Sequence, residues 1–103
     1  MSSAGNGEHS FRLGFSEVIV QLLRQLQRRA SRQGRGKEFL LALREVVRRL
    51  QHDPTEFGEA LYRLPALRMQ VRCVVILPLG VHFGVCEDRP LVFIKSVNLL
   101  SKS

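Results

Sequence analysis

The main change of hydrophobic period in this chain occurs at the dipeptide formed by Asp53 and Pro54. From residue 16 to that point, apolar residues recur every three or four positions, which indicates amphipathic helices. After it, they alternate with polar or small residues, which indicates strands with one covered face. Because a chain of 103 residues has room for a single core, both kinds of element must share it. The change of period therefore predicts an α+β sandwich.

The helical half divides into two segments. Ser16 and Glu17 supply a cap and an acidic first turn, and the first apolar stripe is Ile19, Leu22, Leu23, Leu26 and Ala30. The glycines of QGRG, residues 33–36, interrupt the pattern. A second helix is predicted from about residue 37 to residue 51, with the stripe Phe39, Leu40, Leu43, Val46, Val47 and Leu50. A short loop between amphipathic helices predicts an antiparallel pair that lies on one neighbour.

That neighbour is a small sheet. One short strand is predicted at residues 11–15 and three more at about residues 68–76, 81–86 and 91–97. Their connections suit hairpins, so the three later strands form an antiparallel meander. One face of the sheet is predicted to cover the helices through the alternating sets Val71, Cys73 and Val75, and Val81, Phe83 and Val85. The other face is left open for a partner or substrate. Residues 1–10 are small and polar, which predicts a flexible tail before a single domain at residues 11–103.

Several classes of protein are disfavoured by composition. No apolar run reaches the ~18 residues of a membrane span, and no signal peptide precedes the domain, so we expect a cytoplasmic protein without membrane attachment. Cys73 and Cys86 lie in predicted strands without metal-ligand spacing. They are interpreted as small buried hydrophobic residues rather than ligands or a disulfide. No cofactor or metal is expected.

The positive charge is concentrated in the helical half. The formal net charge is +7, and between residues 16 and 51 nine basic residues face three acidic ones. Two interpretations stay open. The arginines are either a solvated helix surface, as most charge runs are, or a surface that binds phosphates or an acidic partner.

The order of elements, together with three stretches of sequence, resembles the RelE/ParE superfamily of bacterial type II toxins. These stretches are LLALREVVRRLQHDPTEFGEALYRL, RCVVILPLGVHFGV and EDRPLVFIKSV. The resemblance covers residues 11–98 and implies a helical hairpin, a connecting loop and a meander. In that loop Pro54 ends the second helix, Gly58 lets the backbone turn, and Phe57 and Leu61 fold back as apolar plugs.

The resemblance also implies a chemistry. Ribosome-dependent members of the superfamily cut messenger RNA with basic residues, and often a tyrosine, on the open sheet face and near the C-terminus. Such residues activate the 2′-hydroxyl and stabilise charge on the phosphate. This chain departs from the pattern, because Gly80 stands where an arginine is usual and the ending NLLSKS has neither arginine nor tyrosine. Its single tyrosine is Tyr62.

The catalytic candidates that remain are Arg72, His82 and Lys95. Arg72 is predicted on the polar side of its strand, and His82 opposite Arg72 or Cys73 on a neighbouring strand. An arginine and a histidine on one face could act on a phosphate. The plainer alternative, a solvated arginine and a surface histidine, carries more weight. Lys95 shares its alternation phase with Phe93 and Val97, which are predicted to be buried, and is alternatively a lysine that snorkels at the sheet edge.

As partner, the resemblance implies an antitoxin whose acidic amphipathic segment wraps the helices. The candidate contacts for that partner, or for nucleic acid, are Arg24, Arg28, Arg32, Leu41, Arg44, Arg48 and Arg68. RNA or the ribosome is the expected target of a RelE-like toxin, and DNA gyrase that of a ParE-like one. The alternative to a ribonuclease is a catalytically inactive module that binds gyrase, another protein or nucleic acid.

Overall fold

The computed structural model describes residues 10–101, in which two helices pack on one face of a five-stranded sheet. The α+β class is confirmed, while most of the predicted tail, residues 1–9, lies outside the described residues. The elements in chain order are β1 (Arg12–Gly14), α1 (Glu17–Arg32), α2 (Gly36–His52), β2 (Glu59–Leu64), β3 (Met69–Ile76), β4 (Leu79–Cys86) and β5 (Leu91–Leu99).

Local signals explain the bounds of the helices. The Ser16 hydroxyl accepts a hydrogen bond from the Ile19 backbone N–H at 3.1 Å and so caps α1. Gly34, with a φ of 73°, makes the turn between the helices. α2 ends at His52 because Asp53 precedes a proline and leaves helical geometry. α2 therefore begins and ends within one residue of its predicted bounds, and α1 begins directly after its predicted cap.

The sheet has one more strand than predicted and is mixed rather than antiparallel. Its order is β1-β5-β4-β3-β2, with β1 parallel to β5 and all other pairs antiparallel. The missed strand is β2, where the register shifts at Leu61 and so breaks the alternation. Leu61 is 44% exposed, so its prediction as an apolar plug is wrong. Phe57 is buried as predicted and stacks on Phe83.

The core lies between the helices and the inner face of β4 and β5. It includes the predicted set Val81, Phe83 and Val85. In β5 the phase changes at Lys95, because Ile94 pairs with Phe83 while Ser96 pairs with His82, which leaves one extra residue. Ile94 and Val97 are both buried although they are three residues apart. Phe93, predicted buried, is on the outer face and 38% exposed.

Candidate functional site

Arg72 lies on the helix-facing side of the sheet, so its prediction on the open face is wrong. Its register partner is the core residue Phe83, and residues paired across strands project to the same face. The alternation in β3 predicts that the apolar residues Val71, Cys73 and Val75 face the core. The register instead pairs Val71 with Gly84 and Cys73 with His82, on the outer face.

The Arg72 guanidinium is used to hold the loop after α2. It donates hydrogen bonds to the backbone carbonyl oxygens of Phe57 and Gly58, both at 3.0 Å, and to Oε1 of Gln70 at 2.9 Å. The residue is 8% exposed, and within residues 10–101 it forms no ion pair. A buried cation that is compensated by carbonyl oxygens is a structural anchor, because its donors are already engaged and little of its surface is left for a substrate phosphate.

His82 lies on the outer face of the sheet, away from the helices, where it is half-buried in a row across three strands. This face is less open than predicted, because its residues Val71 and Cys86 are buried. His82 pairs with Cys73 on β3 and with Ser96 on β5, and its Nδ1 is 3.3 Å from the Ser96 hydroxyl oxygen. Lys95 is exposed at the bulge beside Ser96. Among the described strands, the one arginine that the register places on this face is Arg12, toward the opposite end of β5 from Ser96. The structure therefore places Lys95 next to Ser96, the register partner of His82, and places Arg72 on the other face of the sheet.

Two aromatic residues lie on the outer face of the sheet, a position that was not recognised from the sequence. Tyr62 pairs with Val71, and Phe93 with Gly84, so both belong to one row across the sheet. Tyr62 is 52% and Phe93 38% exposed. They were missed because both lie next to strand irregularities that reverse the alternation.

The predicted arginines of α1 are exposed and unpaired. Arg24, Arg28 and Arg32 lie at intervals of four residues, and neighbouring Arg29 is exposed as well. None of them contacts a carboxylate in the described part of the chain. The only acidic residue of α1 is Glu17, at its other end, where it accepts a hydrogen bond from Gln21.

The arginines of α2 are largely neutralised. Arg48 binds Glu45 at 2.8 Å, and this hydrogen bond lowers the pKa of the Glu45 carboxyl. Arg49 binds Asp53 at 3.0 Å and lies over the Phe57 ring. Arg44 is exposed without a described ion pair.

Beside these arginines, α2 exposes two adjacent leucines. Leu41 is 54% exposed, and Leu40, which was predicted in the buried stripe, is 47% exposed. The exposed surface of α2 thus combines apolar and charged groups, whereas that of α1 between residues 24 and 32 is polar throughout.

Two further basic positions have local structural roles. Arg68 is exposed and takes a left-handed conformation, φ 49°, directly before β3. Arg35, counted from the sequence only as charge, donates to the Leu100 carbonyl oxygen at 2.8 Å and so connects the helical turn to the end of β5. Its Nε is buried without a hydrogen-bond partner.

In the described range no three His, Cys, Asp or Glu side chains are placed to hold a metal ion. Cys86 is buried, Cys73 is half-buried, and both thiols are free. None of the described helices is long and apolar enough to cross a membrane. Comparisons with protein-family models, curated proteins and solved structures gave no match to this chain.

Proposed function

We propose that this protein is a RelE/ParE-like toxin, or a relative of such toxins, that acts by binding its target rather than by cutting RNA. The carrying observation is the position of Arg72, which anchors the loop after α2 on the opposite face from His82. Among the described strands, no guanidinium then lies beside His82 or Lys95 to stabilise charge on a scissile phosphate. The non-catalytic alternative is therefore the better supported.

The RelE/ParE-like topology is part of this proposal. It is supported by the order of elements, in which a short strand and a helical pair precede the meander. It is also supported by the Asp-Pro loop, whose Phe57 closes the core next to Phe83. These features are architectural and agree equally well with a target on the ribosome, in RNA or in DNA gyrase.

The neutralising partner in this proposal is an antitoxin that binds α2. Leu40 and Leu41 offer apolar contacts, and the unpaired Arg44 lies three residues beyond Leu41 on the same helix. An acidic amphipathic helix would bury its apolar residues on the leucines and place carboxylates beside the arginine.

Induction of the chain in a bacterial host tests the proposal. We expect growth arrest, and we expect the double variant His82→Ala, Lys95→Ala to arrest growth as strongly, because binding needs neither residue. Unimpaired growth with the wild-type protein present and folded would remove the toxin assignment. Loss of growth arrest in the folded double variant would instead support the hypothesis that the protein is a ribonuclease. Inhibition of DNA supercoiling by the purified protein would select gyrase as the target.

The partner is tested separately. We expect the reading frame beside this gene to encode a short acidic protein whose co-expression restores growth. The variant Leu41→Asp should still arrest growth but should no longer be rescued, because a carboxylate replaces an apolar anchor. Arg12→Gln, on the other side of the sheet, is the matched control and should be rescued normally. Equal rescue of Leu41→Asp would place the antitoxin elsewhere.

A further inference from the structure

We infer that the exposed arginines of α1, namely Arg24, Arg28, Arg29 and Arg32, form a separate binding surface for the phosphate backbone of a nucleic acid. This surface is called the α1 arginine face below. The inference does not depend on the toxin assignment, since it rests on the exposure and spacing of the α1 arginines and on their lack of counterions within the described residues. It also uses a different helix from the proposed antitoxin site on α2.

The spacing of the arginines produces a continuous line of positive charge. Arg24, Arg28 and Arg32 are separated by four residues each, which is ~6 Å along a helix that rises 1.5 Å per residue. Together they extend over ~12 Å, with Arg29 alongside. Consecutive cations at this spacing match the repeated charges of a polyanion better than they match a single carboxylate.

Among residues 10–101, the α1 arginine face has no counterion. On α2, acidic neighbours at i−3 and i+4 hold Arg48 and Arg49, which is the arrangement expected of charges that serve only solubility and helix stability. α1 has no acidic residue after Glu17. Four like charges within nine residues repel one another, so an external anion gains affinity from relieving that repulsion.

The composition of the face favours nucleic acid over an acidic protein. From residue 24 to residue 32, every exposed residue is arginine, glutamine or serine. Protein partners need buried apolar or aromatic anchors, and this stretch exposes none, whereas α2 exposes Leu40 and Leu41. Binding to a phosphate backbone needs charge and polar donors only.

Part of the positive charge has an internal explanation. Arg29 and Arg32 lie in the last turn of α1, where cations interact favourably with the helix dipole. Arg24 and Arg28 are earlier in the helix and gain little from the dipole. The test therefore uses these two residues, whose loss should affect binding without weakening the helix end.

The experiment measures the affinity of the purified full chain for a fluorescently labelled single-stranded 12-mer, as RNA and as DNA, at 50 and 200 mM salt. Four neutralised phosphates predict a slope of about −2.8 in log K against log salt, a fall of about fiftyfold. Arg24→Gln with Arg28→Gln should reduce the slope to about −1.4, a fall of about sevenfold. Arg12→Gln with Arg89→Gln removes the same charge elsewhere and should keep the wild-type slope.

Each outcome decides the inference. Absence of binding at 50 mM salt by the folded protein overturns it, and so does an equal loss in both double variants, which would indicate general attraction by net charge. Tighter binding of a poly-glutamate of equal charge would assign the face to an acidic protein. Preference for RNA over DNA, or equal affinity, identifies the backbone that is bound. Growth arrest is not a readout, so failure here is distinct from failure of the toxin proposal.

Discussion

Substitution of Arg72 by alanine should destabilise the fold, because this side chain is an anchor and not a catalytic group. The change removes three hydrogen bonds from a charged donor and leaves the Phe57 carbonyl oxygen without a partner in a buried site. A buried unsatisfied acceptor costs about 1–3 kcal/mol, and hydrogen bonds of charged groups contribute about 1.5–3 kcal/mol each. Water can reach the exposed Gly58 and the half-buried Gln70, and removing a buried cation relieves its desolvation. We therefore expect a net loss of about 3 kcal/mol.

Urea unfolding followed by far-ultraviolet circular dichroism measures this loss. With a slope of about 1–3 kcal/mol per molar urea, the midpoint should fall by about 1–3 M. Arg72→Lys keeps the charge but cannot span two carbonyl oxygens, so it should recover only part of the stability. Arg44→Ala, on the exposed face of α2, should change stability by less than about 0.5 kcal/mol. An unchanged midpoint for Arg72→Ala would refute the structural role and return Arg72 to the list of catalytic candidates.

Two further predictions concern the loop and the pH dependence of stability. Gly58→Ala should lower the stability of the fold more than Gly34→Ala, because both glycines have positive φ but only a Cβ at Gly58 would collide, with the Cys73 carbonyl oxygen. Thermal melts compare the two variants, and equal melting temperatures would contradict the packing of the loop on β3. Arg63 donates a bidentate hydrogen bond to Glu87, which lowers the pKa of that carboxyl from its ordinary 4.5. A carboxyl group with a lowered pKa in the folded protein stabilises the fold at pH values above its unfolded-state pKa. This contribution is lost as the pH falls through its folded-state pKa. The melting temperature should therefore decrease as the pH is lowered past about 4.5. The decrease should be less steep in the double variant Glu45→Gln, Glu87→Gln, because Arg48 lowers the pKa of Glu45 in the same way. An equally steep decrease in this variant would show that the two ion pairs contribute nothing.

The sequence predicts the helices and the strand β4 well, because their apolar residues keep one period from end to end. Ser16 and the Asp-Pro dipeptide are strong local signals, and the burial of Val81, Phe83 and Val85 follows from strict alternation. These are properties that neighbouring residues determine, so no knowledge of the tertiary structure is needed.

The errors occur where tertiary contacts override the local pattern. In β3 the apolar set faces outward, because the carbonyl oxygens of Phe57 and Gly58 provide a site for Arg72 on the inner face. In β2 and β5 a single extra residue, Leu61 or Lys95, reverses the alternation beyond it. A bulge depends on the partner strand, so periodicity along one strand could not reveal it.

The candidate site inherits these errors. His82 was placed correctly because β4 is regular, while Arg72 was assigned to the wrong face and Tyr62 and Phe93 were not recognised as outer-face residues. The helical arginines were identified from composition alone. Their division into a paired set on α2 and an unpaired set on α1 required side-chain contacts that sequence spacing does not determine.

If this protein binds its target without cleaving RNA, translating ribosomes incubated with it should keep their messenger RNA intact, because no arginine lies beside His82 on the outer face among the described strands. Primer extension on this messenger RNA, after incubation with the purified chain, measures cleavage. We expect no new RNA ends. New ends that appear with the wild-type protein and disappear with a folded His82→Ala variant would contradict this expectation.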